Sequence, residues 1–146
     1  MAKNLRKLYW IAEVPYKPSL LLQVLMFCNV YLSAAWAGVY GFYILYNLFN
    51  FNDLHGNFII IAYLFGAIIE YYRLYMGYKG NLKCRPGDLS TFLILSLLIQ
   101  IPVLVFLLLS IKYFITLISV IIIGALSLMI MEFFVGIWVI WPKKKK

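Results

Sequence analysis

Four long apolar runs dominate the chain, and short polar segments separate them. The runs cover residues 20–49, 58–77, 89–111 and 113–141. Each run reaches the roughly 20 residues that a helix needs to cross about 30 Å of hydrocarbon. None of them shows the alternating polarity of the roughly 10-residue strands that build membrane barrels. The pattern therefore predicts an all-α integral membrane protein, a four-helix bundle within residues 20–141.

The basic residues fall on one side of this pattern. The chain has 146 residues, a formal net charge of +8 and 13 Lys and Arg residues. All of these except Lys112 lie in residues 1–19, 73–85 and 142–146. Because Lys and Arg beside membrane helices stay cytoplasmic, both termini are predicted to be cytosolic. The same residues are expected to attract anionic membrane lipids, and no nucleic-acid partner is predicted.

The two terminal segments leave alternatives open. Residues 1–19 mix basic and aromatic side chains, which is typical of a short interfacial helix, although a disordered cytosolic tail also fits. Residues 142–146 contain four lysines directly after Trp141, which predicts a cytosolic polybasic anchor. Lys143 and Lys144 also match a dilysine endoplasmic-reticulum retrieval signal. Only Pro142 separates them from the membrane, so a coat protein would have little room, and the anchor is the better interpretation.

Residues that could carry catalysis or bind a metal are scarce. The chain has five acidic residues, one His and two Cys. They form no nucleophile–base pair, no ligand cluster with metal-binding spacing and no phosphate-binding glycine loop. The protein is therefore predicted not to be an enzyme and to need no cofactor or metal.

Each apolar run contributes a strongly polar side chain at a similar depth. These residues are Asn29, Glu70, Gln100 and Glu132. At 1.5 Å per residue they fall at similar depths in the cytosolic half of the bilayer, which predicts a polar layer whose members mostly face inward and bond across helices. Glu70 can pair with Arg73, three residues later, whereas Glu132 has no basic residue within four positions and is predicted to be neutral. Chance placement is the alternative.

Two further patterns concern helix packing. Ser33, Ala37 and Gly41 form a stripe of small residues at a spacing of four, which predicts a helix-packing face in the first run. Pro102 lies inside the third run, where its missing N–H is expected to kink the helix.

One segment matches a known family signature. The second run ends with Glu70, Arg73, Leu74, Gly77, Gly80, Asn81 and Leu82. Their spacing resembles the pattern E-x-x-R-L-x-x-G-x-x-G-N-L of the small four-span family that contains transmembrane proteins 17, 80 and 216. The run from Leu97 to Pro102 resembles the branch of transmembrane protein 17 in particular. The two glycines are expected to let the helix end and the chain turn, and Asn81 is expected to cap exposed carbonyls or to tolerate a left-handed conformation.

The resemblance implies a non-enzymatic membrane scaffold subunit of the ciliary transition zone, supporting ciliogenesis and the ciliary membrane diffusion barrier. It implies tectonic proteins, B9-domain proteins and other small multi-span subunits as partners, and a location in the ciliary membrane at the transition zone. Few residues follow Trp141, so a partner bound through a long tail is not expected.

The alternative function is a small proton- or cation-coupled transporter or channel subunit that uses Glu132 and Glu70, because ionisable groups inside a membrane are functional candidates. No symmetric second half or interrupted helix pair supports a transport path. A transporter also has no evident need for the motif, so the sequence favours the scaffold.

Overall fold

The computed structural model describes residues 16–111 and 116–141. Within these ranges the chain forms four long helices and no strand. The helices are α1 (Leu20–Tyr46), α2 (Leu54–Leu82), α3 (Pro86–Leu109) and α4 (Thr116–Ile140). Each is long and apolar enough to cross a membrane, which confirms an all-α protein of four membrane-spanning helices. Most of the predicted interfacial segment, Lys112 and the polybasic tail lie outside the described residues.

Side-chain caps and a proline set where three of the helices begin. The hydroxyl of Ser19 accepts a hydrogen bond from the N–H of Leu22 at the start of α1. At the start of α2, the carboxylate of Asp53 accepts a hydrogen bond from the N–H of Gly56 at 2.9 Å. Such caps satisfy N–H groups that lack a partner in the first helical turn. The Asp53 cap starts α2 earlier than residue 58, the predicted start of this span. α3 begins at Pro86, whose fixed φ suits a first helical position.

α2 does not end at the motif glycines. It continues through Gly77 and Gly80 to Leu82, which corrects the expectation that these residues end the helix and turn the chain. No described glycine has a positive φ. The turn into α3 lies in residues 83–85, where Cys84 takes a φ of 51°, a left-handed conformation uncommon for residues other than glycine.

Close packing of helices explains the two glycines instead. A Cβ at Gly80 would lie 2.5 Å from the backbone nitrogen of Leu89. A Cβ at Gly77 would lie 2.7 Å from the sulfur of Met26 and from a ring carbon of Phe92. Glycine at position 80 thus lets α2 approach the backbone of α3 at a distance that a Cβ would prevent, and glycine at position 77 leaves room for the side chains of Met26 and Phe92.

A single wide turn interrupts α3. Residues Ser96–Gln100 form a π-helical turn in which the N–H of Ile101 donates to the carbonyl of Ser96. Pro102 follows after Ile101 and has no N–H to continue the regular ladder. The π turn thus lies directly N-terminal to the position where the sequence predicts a kink. Single π turns of this kind are frequent at functional sites.

The bundle has one end at which α1 and α3 begin and α2 and α4 end, here called the motif end. Two apolar cores stack along the bundle. The motif-end core contains Leu22, Met26, Leu89, Phe92, Leu93 and Val139. The opposite core is larger and includes Trp36, Tyr40, Ile59, Leu104, Ile122 and Met129. The candidate site lies between these two cores.

Orientation in the membrane is predicted from charge. Apart from the buried Arg73, the described Lys and Arg residues lie at the motif end; they are Lys17, Lys79, Lys83 and Arg85. The motif end is therefore expected to face the cytosol. In sealed endoplasmic-reticulum vesicles, whose outer face is cytosolic, an impermeant maleimide should label Lys83→Cys at once and Asn52→Cys only after permeabilisation. Both variants are made in a chain without Cys28 and Cys84, and the reverse labelling order would contradict the orientation.

Candidate functional site

A buried cluster of polar side chains, contributed by all four helices, lies between the two apolar cores. Its members, here called the polar cluster, are Asn29, Ser33, Glu70, Arg73, Ser96 and Glu132. Arg73 and Glu132 are 0% exposed and Glu70 is 3% exposed. Charged groups this deep are costly in a membrane unless they are paired with one another.

Arg73 and Glu70 form a bidentate ion pair within α2. The Nε of Arg73 donates to Oε2 of Glu70 at 2.9 Å, and Nη2 donates to Oε1 at 2.7 Å. Their separation of three residues puts them on the same helix face, as the sequence predicts. Ser33 of α1 donates its hydroxyl hydrogen to Oε1 of the same carboxylate. The pair thus connects α1 to α2.

Arg73 extends the cluster to α3 and α4. Its Nη1 donates to Oε2 of Glu132 at 2.7 Å and to the hydroxyl of Ser96 at 3.2 Å. The amide nitrogen of Asn29 lies 3.0 Å from both oxygens of Glu132. The guanidinium also packs over the ring of Phe92, 5.1 Å from its centroid. The side chain of Arg73 therefore joins α2, α3 and α4 directly, and Asn29 connects α1 to the same carboxyl group of Glu132.

The cluster holds one guanidinium and two carboxyl groups. Ionisation of both carboxyls would leave an uncompensated negative charge among apolar cores, so we expect one carboxyl to hold a proton. Glu70 receives two of the Arg73 hydrogen bonds and Glu132 receives one, which makes Glu132 the better site for the proton.

The hydrogen bonds around Asn29 can accommodate this placement. The hydroxyl of Ser33 has one hydrogen but lies near two acceptors, Oε1 of Glu70 and Oδ1 of Asn29, the latter at 3.5 Å. Amide orientation is assigned from the surrounding network. With the Asn29 amide turned over, a protonated Glu132 donates to Asn29, which donates to Ser33, which donates to Glu70. In this arrangement the Ser33 hydroxyl has a single acceptor, and the neutral Glu132 predicted from the sequence fits it.

Gln100 does not join the cluster. Its side chain is fully buried, but neither its amide nitrogen nor its oxygen has a hydrogen-bond partner within the described ranges. This corrects the expectation that Gln100 bonds across helices. Ser96, four residues earlier and about 6 Å away along the axis, occupies the position that faces Arg73. The polar layer thus contains three of its four predicted members, together with Arg73, Ser33 and Ser96.

The predicted packing stripe of α1 lies against α2. Ser33 bonds to Glu70, and the carbonyl of Ala37 accepts a hydrogen bond from the hydroxyl of Tyr63 at 2.7 Å. A Cβ at Gly41 would lie 2.5 Å from the same hydroxyl oxygen. The stripe therefore meets α2 at Glu70 and Tyr63.

Asn81 fastens the start of α1 to the end of α2. Its Oδ1 accepts from the N–H of Ser19 at 2.9 Å, and its Nδ2 donates to the carbonyl of Ser19 at 3.0 Å and to Oε1 of Gln23 at 2.9 Å. Asn81 therefore binds another helix, which corrects the expectation that it caps exposed carbonyls of α2. Of the two motif leucines, Leu74 is buried and Leu82 is exposed.

Tyr16 adds a second connection at the motif end. Its hydroxyl donates to the carbonyl of Gly80. Burial, followed by the nearby charges of Cys84 and Asp88, raises the pKa of Tyr16 to about 12. The phenol therefore stays protonated and able to donate at physiological pH. Because this pKa exceeds the ordinary value of 10.0, any stabilisation from the phenol is lost only as the pH rises from about 10 towards 12.

The polar groups of the cluster are occupied by one another. The carboxylate of Glu70 lies beside the Ser33 hydroxyl but is held by two nitrogens of Arg73, so it is not placed to act as a base on a substrate. Among the described residues, no group of three or more His, Cys, Asp and Glu side chains could hold a metal ion. The arrangement can hold four helices in a fixed register.

Comparison with known proteins gives consistent matches. The Transmemb_17 family model, described as a predicted membrane protein, matches residues 24–131. Transmembrane protein 17A of Xenopus tropicalis is 32% identical over 91 residues, which cover 62% of this chain and 49% of the relative. Human transmembrane protein 17 is 34% identical over 92 residues, which cover 62% of this chain and 46% of the relative. Transmembrane protein 17 of Gallus gallus is 35% identical over 92 residues, which cover 62% of this chain and 43% of the relative.

This chain spans about half the length of the curated relatives it matches. No solved structure matches it significantly. The residues matched by the family model contain the whole motif from Glu70 to Leu82 and every member of the polar cluster except Glu132. The chain belongs to the transmembrane protein 17 family of membrane proteins.

Proposed function

We propose that this protein is a non-enzymatic membrane scaffold subunit of the ciliary transition zone, where it supports ciliogenesis and the membrane diffusion barrier. The observation that carries the proposal is the use of the family motif. Glu70 and Arg73 bind side chains from the other three helices, while Gly77, Gly80 and Asn81 hold neighbouring helices close. The motif therefore builds a fixed bundle, as a scaffold requires.

The surface of the bundle suits assembly with other membrane proteins. Large apolar side chains are exposed along all four helices, among them Phe27, Ile68, Leu98 and Phe134. In a bilayer these side chains contact lipid or the helices of neighbouring subunits. The family resemblance of the motif makes tectonic proteins, B9-domain proteins and other small multi-span subunits the proposed partners, with the ciliary membrane at the transition zone as the location.

The transport alternative is less well supported. A proton or cation passing Glu132 and Glu70 needs polar groups above and below them. The described side chains on the motif-end side include the buried Leu22 and Phe92, and those on the other side include Leu104 and Met129. The buried side chains on either side of the polar cluster are mostly apolar, with Gln100 and the Tyr40 hydroxyl among the exceptions, which favours a structural role for the two glutamates.

Localisation in ciliated cells tests the proposal. The tagged protein is expected to concentrate at the base of the cilium, between basal body and axoneme, and to disperse when tectonic or B9-domain proteins are depleted. A variant with both Glu70→Gln and Glu132→Gln, whose bundle is expected to be destabilised, should lose the enrichment, and Asp88→Asn should keep it. Uniform reticular staining without basal enrichment would contradict the proposal.

Reticular staining has a specific rival cause, which a second variant resolves. If Lys143→Ala combined with Lys144→Ala moves the protein from the reticulum to other membranes without basal enrichment, the dilysine retrieval signal explains its location. If the lysine variant leaves a basal signal unchanged, the lysines act as an anchor.

A further inference from the structure

An apolar groove opens on the outer side of α3 and α4 at the motif end. It encloses about 460 Å³, within the range of small-molecule sites in proteins. Ser90, Ile94 and Leu97 line it from α3, and Phe133, Ile137 and Trp141 line it from the other side. The outermost lining positions are eight residues apart on each side, from Ser90 to Leu98 and from Phe133 to Trp141, so the groove is about 12 Å long.

The wall of the groove suits hydrocarbon. Its lining is aliphatic and aromatic except for Ser90. The hydroxyl of Ser90 donates to the carbonyl of Pro86 at 2.8 Å, so its hydrogen is already used within α3. Trp141 closes the motif end of the groove and is 68% exposed. Tryptophan prefers the boundary between hydrocarbon and headgroups, so the groove extends from the headgroup level into the acyl region.

Two basic residues lie in the turn that leads into the groove-lining helix α3. Arg85 directly precedes Pro86 at the start of α3, and Lys83 lies two residues earlier; both are exposed. Neither forms an ion pair with any residue in the described ranges, whereas Lys79 pairs with Asp88 at 3.5 Å. An anionic group at the mouth of the groove would lie close to the start of α3, where these two unpaired cations are.

We propose that this groove binds an anionic phospholipid of the surrounding leaflet, with one acyl chain against Ile94 and Ile137 and the phosphate near Arg85. An acyl chain fits the apolar wall, and a negative headgroup complements the unpaired cations. A single anionic phospholipid supplies both groups. A sterol would leave the charges unused. A zwitterionic lipid would gain less from them, because each Lys or Arg near an anionic surface contributes about 1 kcal/mol.

Quenching of Trp141 fluorescence by brominated lipids tests the proposal. The full chain carrying Trp10→Phe and Trp138→Phe is reconstituted in phosphatidylcholine vesicles, and either brominated phosphatidylserine or brominated phosphatidylcholine is added at equal mole fraction. Trp36 is 1% exposed and is shielded from lipid. Subtracting the signal of the Trp141→Phe variant leaves the contribution of Trp141 alone.

Phosphatidylserine is expected to bind several-fold more tightly than phosphatidylcholine. Arg85→Gln should reduce this preference about fivefold. Lys17→Gln, which removes the same charge beside α1, should leave it unchanged. Filling the groove with Ile94→Phe and Ile137→Phe should abolish the preference.

The combination of Ile61→Phe with Ile68→Phe, on the exposed face of α2, controls for added bulk on the surface. This variant should keep the preference for phosphatidylserine over phosphatidylcholine. Equal quenching by the two lipids in the parent protein would overturn the proposal. Displacement of phosphatidylserine by a sterol at low mole fraction would also overturn it, because the groove would then be a sterol site.

Discussion

Replacing both Glu70 and Glu132 by glutamine is expected to lower the free energy of unfolding by about 3–5 kcal/mol, the usual cost of leaving one partner of a buried ion pair alone. Arg73 is 0% exposed, and these two residues supply its carboxylate partners. In the double variant the guanidinium has only amide and hydroxyl oxygens around it. No other pair of substitutions in the polar cluster removes both carboxylates while preserving side-chain size.

Each single substitution is expected to have a much smaller effect. With Glu132→Gln, Glu70 still binds Arg73 through two hydrogen bonds, and the new amide replaces a carboxyl that we expect to be neutral, so the loss should stay below about 1 kcal/mol. With Glu70→Gln, Glu132 can ionise and pair with Arg73. The cost should be larger, about 1–2 kcal/mol, because the bidentate geometry is lost.

Unfolding of the purified variants in mixed micelles, followed by tryptophan fluorescence, measures these differences. Asp88→Asn is the control, because its ion pair with Lys79 is only partly buried and such pairs contribute little. Infrared spectroscopy adds an independent test, since the carbonyl band of a protonated carboxyl group should be present in the parent protein and absent from Glu132→Gln. Additive effects of the two substitutions would show that the carboxyls do not compensate for each other.

Gly80→Ala is expected to destabilise the bundle by about 1–3 kcal/mol, the typical cost of overpacking. The new Cβ would lie 2.5 Å from the backbone nitrogen of Leu89 and 2.9 Å from its Cα. Backbone atoms cannot rotate away as a flexible side chain can, so α2 and α3 would have to separate. That movement would also disturb the hydrogen bond from Tyr16 to the Gly80 carbonyl.

Gly38→Ala gives the matched control for helix propensity. Gly38 also lies inside a long helix, but a Cβ there would have no atom within 4 Å. Alanine favours helix over glycine by up to about 1 kcal/mol, so this variant should be neutral or more stable than the parent protein. Thermal unfolding in detergent should therefore shift in opposite directions for the two variants. A stabilised Gly80→Ala would contradict the close approach of α2 and α3.

Local patterns were sufficient to predict the helices and one ion pair. The apolar runs identify four spans because membrane helices must satisfy their backbone internally and present apolar side chains to lipid. The pairing of Glu70 with Arg73 follows from a separation of three residues along one helix. In both cases the relevant neighbours are close in sequence.

Contacts between distant residues could not be predicted in the same way. Glu132 lies 59 positions from Arg73, and nothing in its own segment indicates a basic partner. The depth of the polar residues did indicate a common layer, but depth gives no rotation about the helix axis. For this reason the sequence also predicts Gln100 as a member, whereas in the structure Ser96, at the other end of the π turn, bonds to Arg73. The role of Gly80 depends equally on the position of Leu89 in another helix.

The uneven distribution of charge partners has a consequence for membrane insertion during synthesis. α2 brings Arg73 and Glu70 into the bilayer together, three residues apart and already able to neutralise each other. α4 is made later and brings Glu132, which has no basic residue within four positions and must enter lipid as the neutral acid. It reaches Arg73 only when the fourth helix docks. A nascent chain that fails to dock would leave a carboxyl group facing lipid, where quality-control machinery of the membrane could detect the incomplete protein.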